Sequence, residues 1–107
     1  RSSKPYLLLV TVPTLSEAKK ITSALLKARL AACVNVIQKV ESFFHWRGSI
    51  DHARERLLVI KTQERHLPQI EKTVRKLHSY EVPEMIGWPI RWGHAPYLDW
   101  ISSSTRK

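Results

Sequence analysis

Residues 31–63 read AACVNVIQKVESFFHWRGSIDHARERLLVIKTQ, and the layout of the whole chain turns on this stretch. From Ala32 the even positions are Ala32, Val34, Val36, Gln38, Val40, Ser42, Phe44 and Trp46, and the odd ones are Cys33, Asn35, Ile37, Lys39, Glu41, Phe43 and His45. A period of two with one apolar face predicts a long strand. Beyond Trp46-Arg47-Gly48-Ser49 the chain returns through Leu57-Leu58-Val59-Ile60 to Lys61-Thr62-Gln63, which predicts a strand covered on both faces for part of its length. The pair forms a hairpin closed near Gly48. About fifteen residues at roughly 3.3 Å each extend about 50 Å. That exceeds what a domain of 107 residues needs to cover its own core, so part of the hairpin should project and be covered by something else.

Upstream, Arg1 to Pro5 reads as a polar, frayed lead-in. Tyr6 to Val12 is an apolar run closed by Pro13, the pattern of a short central strand. Thr14-Leu15-Ser16-Glu17 fits a capping box, and Ala18, Ile21, Leu25 and Ala28 then form the apolar stripe of a four-turn helix. Downstream, Pro68 suits a first helical turn, and Leu67, Ile70, Val74 and Leu77 make a second stripe with Lys72, Arg75 and Lys76 facing water. Met85 to Arg91 reads as a fourth strand, at an edge or bulge because Pro89 cannot donate to a ladder. Tyr97 to Ile101 is a short amphipathic segment of about one helical turn before a polar, Ser-rich tail.

The predicted order is strand, helix, strand, strand, helix, strand. It defines an α+β, ferredoxin-like βαββαβ sandwich in one domain over 1–107, ordered from about 5 to 102, with both helices on one face of the sheet. The other face must meet water or a partner. Its aromatic load of Phe43, Phe44, Trp46, Trp88, Trp92, Tyr97 and Trp100 argues for a partner, most simply another copy of the chain.

The chain is 43% hydrophobic and carries a net charge of +9. The cations are spread along the sequence with no run of five, so a solubilising surface is the first reading and nucleic acid is not expected as a partner. No stretch approaches the ~20 apolar residues needed to span a bilayer, and the expected compartment is the cytoplasm. A lone Cys33 excludes an internal disulfide and is expected in the core.

Two activities that use this topology are not supported by the residues. The third strand, Leu57 to Thr62, lacks the base-stacking aromatics of an RNA-recognition module, and Thr11-Val12-Pro13-Thr14 lacks a glycine-bearing phosphate loop. No nucleophile arrangement is legible, and no catalysis is expected.

Five blocks, Leu30 to Asn35, Trp46-Arg47-Gly48, Lys61-Thr62, Leu77 to Glu84 and Tyr97 to Trp100, match in order and spacing, and the chain resembles the CutA family of divalent-cation tolerance proteins. The resemblance implies a homotrimer with long hairpins paired between subunits and clefts like those of PII signalling proteins. It also implies a role in copper or other divalent-metal tolerance, with a metal or small ligand in the clefts. A scaffolding role, as suggested for animal relatives linked to acetylcholinesterase anchoring, is the alternative.

The copper site assigned to bacterial members uses one Cys and two consecutive His. On this sequence those positions are Val10, Leu77 and His78, so only His78 retains a donor, and such sites draw on two or more ligands. His78 reads more readily as a helix C-terminal cation. His45, His52, His66 and His94 show no paired ligand spacing, and Glu81 with Glu84 could form an acidic pair near His78. Phe44, Trp46, Tyr97 and Trp100 are the expected interface residues.

Overall fold

The computed structural model describes residues 3–106 and runs β1 (Pro5–Val12), α1 (Leu15–Lys27), β2 (Ala31–Trp46), β3 (Ser49–Gln63), α2 (Leu67–Leu77), β4 (Met85–Pro89) and α3 (Ala95–Ser104). A 3-10 turn over Glu64–His66 leads into α2. The four strands form one antiparallel sheet in the order β2-β3-β1-β4, a mixed α+β fold with three helices. The core lies between α1, α2 and one sheet face. Leu8, Val10 and Val12 from β1 and Leu58 and Ile60 from β3 meet Ile21, Leu25, Ile70 and Val74 there.

Thr14 Oγ1 accepts from Glu17 N at 3.1 Å, so the predicted cap forms. Its reciprocal half does not. The Glu17 carboxylate instead accepts from Ser79 N at 2.9 Å, tying the start of α1 to the end of α2. At the other end of α1, Arg29 takes the left-handed φ of 57° usually left to glycine. Leu30 N bonds Leu25 O and Arg29 N bonds Leu26 O, the paired bonds of a Schellman stop.

The hairpin turns where expected. Arg47 (φ 51°) and Gly48 (φ 83°) are both left-handed, as a two-residue type I′ loop requires. β1 pairs β3 only from Arg56 to Gln63, so the segment from Ser49 to Glu55 has β2 as its sole strand neighbour and projects from the sheet.

Three expectations need correction. First, β2 does not keep one apolar face, because it carries an extra residue between Ala31 and Cys33 and another between Ile37 and Val40. Each bulge reverses the alternation. Val34 and Val36 face the helices, whereas Val40, Ser42, Phe44 and Trp46 share the opposite face with Cys33, Asn35 and Ile37. Phe43 therefore leaves the predicted aromatic group and stacks on His52, with ring centroids 4.8 Å apart. Second, the C-terminal segment is a ten-residue helix, not one turn. α3 lies over β2 and β3, buries Ile101 outside the main core and so covers part of the open face. Its end is held by Arg29 Nη1 donating to Ser104 O and by the His66 ring at 2.9 Å from Thr105 O. α3 thus runs past residue 102 to Ser104. Third, the lead-in is anchored: Ser3 Oγ accepts from Arg65 N and Lys4 O from Glu64 N, while Arg1 and Ser2 lie outside the described residues.

Candidate functional site

Where β1 ends, the first turn of α1 and the segment following α2 converge. His78, the C-cap of α2, has a fully buried side chain. Its Nε2 lies 2.7 Å from Thr11 O, and its Nδ1 accepts from Tyr80 N at 3.1 Å. A carbonyl only accepts and an amide N–H only donates, so this geometry requires the neutral ring protonated on Nε2. The Glu17 carboxylate, 3.9 Å from Nδ1, would form an ion pair only with the other protonation state. The shorter, better-defined bond to Tyr80 N decides for the neutral form.

Tyr80 packs its ring against His78 at 4.8 Å and donates its hydroxyl to Glu55 Oε2 at 2.8 Å. Glu55 is only 5% exposed although it stands on the projecting hairpin just past the last β1 pair. Burial first, then the Glu55 hydrogen bond and the charges of Glu55 and Glu17, push the Tyr80 hydroxyl up to about 12. Beside it, Arg56 Nη1 donates to Pro13 O at 3.2 Å, while its buried Nε has no partner.

The residues at the implied copper positions do not fit that metal. Val10 is fully buried, Leu77 packs at the edge of the core, and both nitrogens of His78 are engaged by backbone. A ligand must present a free lone pair, and none remains on this ring. No cluster of three His, Cys, Asp or Glu suited to a metal occurs among the described residues. His78 is a pin between α2 and β1, not a cation on a helix dipole. Glu81 and Glu84 are exposed.

A second group of polar side chains lies on the open face. Cys33 is half-buried there rather than in the core, because alternation from Val34 turns it away from α1 and α2. Lys61 Nζ sits 4.0 Å from Cys33 Sγ and donates to Asn35 Oδ1. Tyr97 comes down on this group from α3, and burial followed by the Cys33 thiol raises its hydroxyl above the ordinary value. Tyr97 and Trp100 pack together at 5.4 Å and are each 42% exposed. Phe44 and Trp46 extend the same face along the hairpin, and Ile86 and Trp88 extend it along β4 through their pairing with Leu9 and Leu7.

Sequence reading singled out His78 and gave Glu17 only a place in a helix cap, and it missed Glu55 and Arg56, which lie in a charged run with no periodic signal. The Leu77-to-Glu84 block was the available pointer to Tyr80.

Residues 6–104 match the model of the family described as CutA1 divalent ion tolerance protein. The chain belongs to that family. It is 40% identical over 97 residues to the divalent-cation tolerance protein CutA of Thermus thermophilus, covering 91% of this chain and 94% of that one. It is 43% identical to mouse protein CutA over 90% of this chain and 54% of the relative. The chain thus spans about half the length of the mouse relative and of the chloroplastic rice relative, of which it covers 55%. Crystallised CutA1 of Oryza sativa superposes with a TM-score of 0.94 at 37% identity, covering 99% of this chain and 97% of that one. The Thermus CutA1 structure gives 0.93 at 38% identity, covering 95% and 99%.

Proposed function

We propose that this CutA-family chain acts as a non-enzymatic homotrimer in the cellular response to divalent metal ions such as copper, binding a small ligand in clefts between subunits. The subunit in this reading is ferredoxin-like, as the strand order β2-β3-β1-β4 with α1 and α2 on one face supports. One observation carries the assembly. Ile37, Phe44, Trp46, Ile86, Trp88 and Trp100 are each between 39% and 55% exposed along one face of the sheet and its projecting hairpin. An apolar band of that extent is a partner surface. A second copy supplies the matching hairpin. The relatives' printed name, divalent-cation tolerance protein, supports the metal link. The ligand set at Val10, Leu77 and His78 does not, so a cleft ligand held by other groups is the reading retained. The free Cys33 thiol is in keeping with a cytoplasmic setting.

Sedimentation velocity at micromolar concentration tests the assembly, with a trimer expected; a stable monomer would end this reading. Copper sensitivity of cells lacking the protein tests the role. A scaffold presenting exposed Trp92 (84%) is the second reading, favoured if partners stay bound in chelator and copper sensitivity is unchanged.

A further inference from the structure

We propose that the outer face formed by α1 and α2 binds the phosphate backbone of duplex nucleic acid without reading its sequence. Cations that the sequence spreads out are gathered by the fold onto one surface. α1 and α2 run antiparallel, with the start of α1 tied to the end of α2 through Glu17 and Ser79. Each buries its apolar stripe and turns its remaining positions outward. Lys19, Lys20 and Lys27 line a shallow trough of about 490 Å³ that reaches Leu77, and Lys72, Arg75 and Lys76 line a second of about 610 Å³ on the far side of α2.

None of these six side chains makes a hydrogen bond or ion pair with another group among the described residues. Among the described residues, Glu71 and Glu81 are the only carboxylates lining the two troughs, and Glu17 is drawn inward. Unpaired, solvent-facing cations are what counterion release requires. At 1.5 Å rise per residue, Lys20 and Lys27 stand about 10 Å apart and Lys72 and Lys76 about 6 Å. Duplex DNA offers a phosphate charge about every 1.7 Å of its axis, so each cation meets one in many registers.

The same face argues against other polyanions. A single strand is held by stacking on aromatics, and neither helix carries Phe, Trp or Tyr. An anionic membrane surface calls for apolar side chains beside the cations, and Leu26 is the one exposed large hydrophobic residue of these two helices among the described residues. Tyr80 lines the second trough, but its ring packs on His78 and its hydroxyl is held by Glu55, so the face offers cations to a duplex backbone rather than a platform for bases.

The test is fluorescence anisotropy of the full chain with a labelled duplex of about 20 base pairs in roughly 50 to 200 mM salt. Log affinity should fall against log salt with a slope of about −3 to −5. The triple variant Lys19→Gln, Lys20→Gln, Lys27→Gln should flatten that slope by about 2 to 3, and Lys39→Gln on β2 should leave it unchanged. All four positions are exposed, so folding is not at stake. A flat salt response, an equal loss in Lys39→Gln, or binding to phosphatidylserine vesicles without binding to the duplex would overturn the proposal.

Discussion

At His78, two backbone groups take what a metal would need. Thr11, which receives the Nε2 proton, lies 67 residues away in sequence, and this is why motif position alone points to the wrong chemistry. Replacing His78 with Ala leaves a buried carbonyl and an amide unpaired at once, and should cost about 2 to 4 kcal/mol in urea unfolding. Copper should shift the melting temperature of wild type and variant equally. Tyr80 gives a pH signature. Its folded value, raised to about 12, lies above the ordinary tyrosine value of 10.0, so the neutral hydroxyl is favoured by folding. That contribution is complete below about pH 10 and is lost as pH climbs toward 12. Tyr80→Phe should therefore narrow the stability gap to wild type across that interval, as read by denaturant titration at each pH.

Among the elements, local chemistry was readable and tertiary chemistry was not. Thr14 as cap, Pro68 opening α2 and Gly48 in the turn act on their own neighbours, and each sits where sequence puts it. Thr14→Ala should cost about 1 kcal/mol. Gly48→Ala should cost about 1 to 2 kcal/mol, since φ of 83° strains any Cβ even though open space surrounds it. Both are measurable by thermal melts. The full length of α3 was missed because its last turn, Ser102-Ser103-Ser104, has modest helix propensity and is held by Arg29 and His66 from other elements. The β2 bulges escaped for a related reason: an extra residue has no compositional mark.

For the whole molecule, the succession of strands and helices and the projecting hairpin followed from periodicity and length, whereas the gathering of cations on one helical face appeared only once α1 and α2 were set side by side. Trp46 is 50% exposed in the subunit. If the proposed assembly forms, Trp46→Ala should leave the circular dichroism spectrum intact yet raise the concentration at which it dissociates by about tenfold or more, read by analytical ultracentrifugation.

The irregularity between Ile37 and Val40 has a consequence for how partner choice is encoded. One additional amino acid in β2 acts as a half-turn of everything beyond it, so which side Phe44 and Trp46 show to the outside is written in residue number rather than residue type. Val34 and Val36 can thus serve the core while Phe44 and Trp46, of the same parity in number, face outward. With Gln38 deleted the ladder would run straight through, and both rings would still face outward. Counting, as much as chemistry, decides what this arm can grip.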